Sequence, residues 1–171
     1  MPLLNRLFRS KPDPREALRP LWHRVVEISR EPEWYADCGV VDTVPGRFDM
    51  ITAVLSLVLL RLERDGGCAA ESALLTELFV EDMDGQLRES GIGDIVVGKH
   101  IGKLMASLGG RIGAYRDGLA KGGAVLQDAV SRNVTFADAA GPEALAGRLR
   151  ALAGEFDEAE TSQILAGLIE R

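Results

Sequence analysis

The chain has 171 residues, and 20 lysines and arginines stand against 26 aspartates and glutamates, for a formal net charge of −6. Its two cysteines, Cys38 and Cys68, give neither a metal-binding spacing nor a disulfide framework and are expected to be reduced core thiols; the longest nearly uncharged run, residues 50–60, is too short to cross a membrane. Because 46% of the residues are apolar and only 5% aromatic, we expect an all-α fold, a single globular bundle of about six to eight helices.

Residues 1–13 stand apart as a basic amphipathic segment. Its apolar side chains fall on one helical face with basic ones beside them, the pattern of a short helix lying on a membrane surface. The segment lacks the features of a secretory signal. A frayed terminus, or a segment docked on the protein's own core, explains the pattern equally well. The apolar residues are Leu3, Leu4, Leu7 and Phe8, and the basic ones are Arg6, Arg9 and Lys11.

Capping residues and apolar spacing predict the helices of residues 14–171, which we expect to form one domain. Predicted helices run from Pro14 to about Arg30 with a kink or restart at Pro20, then over Glu33–Gly39, Arg47–Arg64, Ala69–Glu89, Asp94–Lys121, Gly122–Asn133, Pro142–Gly154 and Glu158–Glu170. The stretch Arg47–Arg64 is apolar nearly all round, so it belongs at the centre of the bundle. The Asp94–Lys121 stretch is one helix, or two broken at Gly109-Gly110. The last helix is introduced by a capping box over Asp157–Glu160. The predicted core includes Phe48, Val54, Leu55, Val58, Leu78 and Leu104.

No pattern in the sequence supports catalysis. Residues 93–100 match a phosphate-binding GxxxxGK loop, except that His100 stands where serine or threonine holds magnesium, and the flanking pattern is helical rather than strand–loop–helix. His23 and His100 have no neighbour at metal-ligand spacing. No motif for sequence-specific nucleic-acid binding is present. We therefore expect no enzyme activity, no cofactor and no metal site.

Glycines recur in the Asp94–Lys121 helix, where each costs roughly 1 kcal/mol relative to alanine in an exposed helix interior. Close approach of a neighbouring helix within the domain explains such glycines. A shallow groove that receives a helix of another chain explains them too. The sequence does not decide between these explanations. The glycines are Gly98, Gly102, Gly109, Gly110, Gly113 and Gly118.

Charge is distributed in blocks along the chain. Residues 71–94 carry seven acidic side chains and one basic one, whereas residues 95–132 carry six basic and two acidic ones. The two blocks either pair across the fold or leave an acidic face for a partner. Within the acidic block, Asp84 and Arg88 are four residues apart and can pair across one turn, which leaves Asp82 on a different face.

Three blocks of sequence resemble the ubiquinol-cytochrome c chaperone family, with the bacterial members most similar. They are Asp42–Ile51, Phe79–Asp94 and Gly110–Tyr115, with Lys99 between the last two. The blocks occur in the family's order, and the resemblance extends from about Trp34 to Asn133. The tail after Asn133 lies outside it.

The resemblance implies a non-enzymatic assembly factor that binds newly made cytochrome b and assists assembly of the ubiquinol–cytochrome c reductase. Mitochondrial members of the family act near the ribosome and with a small helical partner. For a bacterial chain it implies a cytoplasmic protein, peripheral at the inner face of the plasma membrane. The membrane-surface candidates, which come from the amphipathic pattern of the N-terminal segment, are Leu4, Arg6, Leu7, Phe8 and Arg9. The alternative is a generic helical scaffold or oligomeric interaction module without a membrane-protein client. Partner-binding candidates are Arg47, Phe48, Phe79, Asp82, Asp84, Arg88, Lys99, Arg111 and Tyr115. For Arg88 and Arg111, a structural ion-pair role between the acidic and basic helices is the favoured alternative.

Overall fold

A computed structural model describes residues 13–89, 94–137 and 140–170 of the chain. The expected membrane-surface residues Leu4, Arg6, Leu7, Phe8 and Arg9 lie outside these described residues. A 3-10 helix, Pro14–Leu18, precedes helices α1 (Arg19–Ser29), α2 (Glu33–Ala36), α3 (Val44–Arg64), α4 (Ala69–Glu89), α5 (Asp94–Lys121), α6 (Gly123–Asn133), α7 (Pro142–Glu158) and α8 (Thr161–Leu165). The all-α expectation is confirmed, and the described parts of the chain contain no strand beyond an isolated bridge between Val40 and Phe136.

Local capping chemistry sets where the 3-10 helix and α3 begin. The Asp13 carboxylate accepts a hydrogen bond from the Arg15 amide at 2.9 Å and caps the 3-10 helix at Pro14, as predicted. The Thr43 hydroxyl accepts from the Gly46 amide at 3.3 Å. With Pro45 in its first turn, α3 therefore begins at Val44, three residues before the predicted start at Arg47.

Helix α3 occupies the centre of the fold, as its apolar sequence predicts. It is buried almost continuously from Asp49 to Leu62, with α1, α4, α5 and α7 packed around it. Val54, Leu55, Val58 and Leu78 are buried as predicted. Phe48 and Leu104 are half-buried at the margin of the core, so the expectation of full burial was wrong for these two.

Helix α5 runs unbroken through Gly109 and Gly110, which decides between the one-helix and two-helix alternatives. Lys99 therefore lies on a helix rather than in a phosphate-binding loop. An unbroken helix is physically reasonable here because glycine weakens a helix without terminating it.

The C-terminal helices differ most from their predicted bounds. Helix α7 continues to Glu158, four residues past the predicted end, and α8 begins only at Thr161. The capping box predicted at Asp157 forms instead between Glu160 and Gln163. The buried Arg61 guanidinium explains the shift, because its Nε donates to the Phe156 carbonyl at 2.9 Å and its Nη2 to the Ala159 carbonyl at 3.0 Å, which ties the end of α7 to α3.

Candidate functional site

The described partner-binding candidates divide into an interior set and a surface set. The interior set centres on Arg111. Its Nη2 donates to the Asp49 Oδ1 at 2.7 Å, its Nη1 donates to the Thr52 hydroxyl at 2.6 Å, and its guanidinium lies 5.6 Å from the centre of the Phe48 ring. The Arg111 and Asp49 side chains are only 11% and 9% exposed. Arg111 is therefore a structural residue, and its partner lies on α3 rather than on the acidic helix.

Asp49 joins a third segment to this interior cluster. Its Oδ2 accepts from the Thr135 amide at 3.0 Å and from the Thr135 hydroxyl at 2.9 Å. The Val41 amide donates to the Thr135 carbonyl at 3.1 Å, beside the Val40–Phe136 bridge. One carboxylate thus holds α3, α5 and the segment after α6 together.

Tyr115 and Phe79 are also interior residues rather than surface contacts. Tyr115 is fully buried on α5, and burial raises the pKa of its phenol well above the ordinary value. Phe79 is fully buried on α4, with its ring centre 6.0 Å from that of Trp22 and 6.4 Å from that of Phe48. Their place in the family-like sequence blocks reflects core packing. Asp49 was missing from the candidates, although a lone acid in the apolar part of α3 is the kind of signal that indicates a buried ion pair.

Four of the remaining candidates, Arg47, Asp82, Asp84 and Arg88, are exposed or part-exposed. Arg47 is exposed, and its Nε donates to Asp42 at 2.6 Å. Arg88 pairs with Asp84 at 2.8 Å across one turn, as the spacing predicts. Asp82 lies on another side of α4, where it lines a depression between α1 and α4, and it has no ion pair within the described residues. The side chain of Lys99 lies outside the described part of the structure.

A groove between α4 and α5, here called the α4/α5 groove, lies beside Asp84. It consists of two depressions, of 610 and 530 Å³, that share Thr76 in their lining. The larger one has the buried Leu59 and Leu62 of α3 among its lining residues. The lining of the larger depression includes Leu59, Leu62, Cys68, Ala69, Ala73, Thr76 and Ile112, and that of the smaller includes Arg15, Thr76, Glu77, Val80, Glu81, Asp84, Ile101 and Met105.

The glycine-rich side of α5 borders this groove and is bare. A Cβ atom added at Gly98, Gly102, Gly109, Gly110 or Gly113 would meet nothing within 4 Å. Gly118 differs, because a Cβ there would lie 2.9 Å from the Leu126 Cα. Close packing within the domain therefore explains Gly118 alone. Successive residues of an α-helix are rotated by about 100° around its axis. On this basis the open glycines other than Gly110 lie on the same side of α5 as Met105, within an arc of about 80° around the helix axis. Met105 is 39% exposed.

The described residues meet the requirements of neither a metal site nor a membrane-spanning helix, and their two cysteines form no disulfide. Across residues 13–89, 94–137 and 140–170, no group of three or more histidine, cysteine or acidic side chains is arranged to hold a metal ion. No helix in that part of the chain is long and apolar enough to span a bilayer. Cys38 is buried and Cys68 half-buried, and both are free thiols.

Comparison with known proteins gives one family and one solved structure. The sequence profile described as ubiquinol-cytochrome C chaperone matches residues 36–170. The expectation that the similarity ends at Asn133 was therefore wrong, consistent with the packing of α7 and α8 into the same core. A structure described as that of the Cbp3 homolog from Brucella abortus is 29% identical in sequence with a TM-score of 0.79, and the match covers 98% of this chain and 96% of that one. No curated protein matches the chain.

Proposed function

The chain belongs to the ubiquinol-cytochrome C chaperone family, and on this premise we propose that it binds newly made cytochrome b and assists its assembly into the ubiquinol–cytochrome c reductase. Membership in a chaperone family implies a non-enzymatic role. The candidate client site is the α4/α5 groove together with the bare side of α5.

The observation that carries this proposal is the set of open glycines on α5. Each one weakens an exposed helix by roughly 1 kcal/mol relative to alanine, and no neighbour within the described structure offsets that loss. Small residues let the backbones of two helices approach closely, which is how helices of membrane proteins pack. A transmembrane segment of cytochrome b, waiting for its own partners, fits such a surface. The flexible Met105 side chain adapts to different apolar neighbours.

We further propose that the ribosome or a small helical co-chaperone contacts the other side of α4. Asp82 supports this assignment, because it lines the depression between α1 and α4 without an ion-pair partner in the described structure. Glu27, Glu81 and Glu89 line the same depression. A surface of this sign attracts basic partners by long-range electrostatics.

The client proposal is tested by site-specific photo-crosslinking. We expect a photo-crosslinking amino acid at position 105 to form an adduct with cytochrome b during its cell-free translation in the presence of the protein. The matched control carries the same amino acid at position 128, an exposed site on α6. Adducts from both positions, or adducts of equal yield with a translated soluble protein, would contradict client binding in the groove and favour a generic scaffold.

Residues 1–13 are proposed to give weak peripheral membrane contact. Arg6, Arg9 and Lys11 each contribute about 1 kcal/mol near an anionic surface, so attachment is reversible and falls with salt. We expect the full chain to co-sediment with anionic vesicles at low ionic strength and a variant lacking residues 2–11 to remain in the supernatant. Equal co-sedimentation of the two proteins would show that this segment has no membrane role.

A further inference from the structure

The described chain begins beside one end of the α4/α5 groove. The 3-10 helix that follows Asp13 packs on α4, and Arg15 itself lines the smaller depression. The Arg15 Nη1 lies 3.5 Å from the Glu81 Oε2. Residues 1–12 are therefore tethered at the mouth of the groove.

The two ends of the groove differ in chemistry. The end near Arg15 is lined by Glu77, Glu81 and Asp84. Glu81 pairs with Arg15 and Asp84 pairs with Arg88, so Glu77 is the acid at this end that has no ion-pair partner in the described structure. The far end is mostly apolar, with Leu62, Ala73 and Ile112 among its lining residues. Its charged lining residues, Glu63 and Arg116, pair with each other at 2.6 Å. A ligand that matches both ends has basic residues on one side and apolar residues on the other.

Residues 1–12 carry these features in the matching order. They include three basic residues and no acid. Along the sequence, Lys11 and Arg9 are close to Asp13, where the described chain begins, whereas Leu3, Leu4 and Leu7 are further from it. A helix of 12 residues is about 18 Å long, and the groove follows α4 for the 15 residues between Ala69 and Asp84, about 23 Å.

We propose that residues 1–12 bind in the α4/α5 groove of their own chain and compete there with a client helix. A tether this short holds the segment near its site at an effective concentration of about 1 mM. Weak docking is then enough to occupy the groove, and a client of higher affinity displaces the segment. The competition with a client rests on the proposed function. The docking of residues 1–12 does not, because it is measured without a client.

Cys68 provides a probe already present in the chain, because it lines the apolar end of the groove and is a free thiol. We expect a neutral polyethylene-glycol maleimide to modify Cys68 roughly fivefold more slowly in the full chain than in a variant lacking residues 2–12. High salt and the double variant Glu77→Lys/Asp84→Lys should both raise the rate in the full chain, because they weaken the charge attraction. Peptide mass spectrometry separates Cys68 from the buried Cys38, whose rate should not change.

The control is Asp128→Lys, a single charge reversal at an exposed site on α6, which should leave the Cys68 rate unchanged. Equal rates in the full chain and the truncated variant would overturn the proposal, whatever the truncation does to vesicle co-sedimentation. Loss of co-sedimentation together with equal rates would assign the segment to the membrane alone. A rate indifferent to Glu77→Lys/Asp84→Lys and to salt would also overturn it. Crosslinking from position 105 to cytochrome b should increase in the truncated variant. If Cys68 is protected but neither form crosslinks to cytochrome b, the proposed client fails while docking of the segment stands.

Discussion

Arg111→Glu is expected to unfold the protein or bring it close to unfolding. The substitution removes the partner of a carboxylate that is 9% exposed and places a second carboxylate beside it. Removing one member of a buried ion pair costs about 3–5 kcal/mol, and charge reversal adds repulsion to that loss. The free energy of unfolding of a domain is only roughly 5–15 kcal/mol, so the substitution removes a large fraction of it. Thermal unfolding followed by circular dichroism measures it.

The neutral variant Arg111→Met gives a measurable case if the charge reversal does not fold. We expect it to lower the Tm by roughly 6–20 °C, because 1 kcal/mol corresponds to about 2–4 °C in a domain of this size. Adding Asp49→Asn should recover part of the loss. Asparagine removes the unpaired buried charge and keeps an oxygen that accepts from Thr135, whose amide now lies 3.0 Å from Asp49.

Asp82→Lys is the matched surface control for this series. Asp82 is part-exposed and has no ion pair in the described structure, so its reversal should change the Tm by no more than a few degrees. If Asp82 binds a basic partner, the same variant lowers reductase assembly in cells while remaining folded. An Arg111→Glu protein with a normal Tm would contradict the structural role of the Asp49–Arg111 pair.

Two ion pairs show which contacts can be predicted from local sequence and which cannot. The Asp84–Arg88 pair was predictable because four residues make one helical turn, and the pair indeed forms at 2.8 Å. The Asp49–Arg111 pair spans 62 positions, so no local rule places the two together. The sequence therefore favoured a structural ion pair for Arg111 but placed its partner on the acidic helix, whereas the partner is Asp49 on α3.

Helix bounds are likewise predictable from sequence where local residues set them and not where distant residues do. The start of the 3-10 helix at Pro14 follows from Asp13 and the proline, which act within one turn. The start of α8 was misplaced, because the acids around Asp157 offer more than one local cap and hydrogen bonds from the distant Arg61 hold the end of α7. Whether a glycine faces a neighbour or open space is likewise a tertiary property, and only the structure separates Gly118 from the others.

The glycine side of α5 leads to a prediction in which stability and function move in opposite directions. Gly109→Ala should raise the free energy of unfolding by about 0.5–1 kcal/mol, because alanine favours the helix and its Cβ meets nothing within 4 Å. Gly118→Ala is the matched control and should destabilise the fold, because its Cβ would lie 2.9 Å from both the Cα and the Cδ1 of Leu126. Chemical denaturation of the two variants measures both signs.

The double variant Gly102→Leu/Gly109→Leu tests whether the glycine side of α5 binds the client. Leucine is a good helix former, so this protein should be at least as stable as the natural chain. Its two side chains stand on the face that the client helix is proposed to approach, so crosslinking from position 105 to cytochrome b should fall steeply and reductase assembly should fall with it. That result would mean that the glycines of α5, although they make the fold less stable than alanine or leucine would, are needed because they leave the helix backbone accessible to a partner. A stable double variant with unchanged crosslinking would show that the client binds elsewhere and would leave the open glycines without a function in binding.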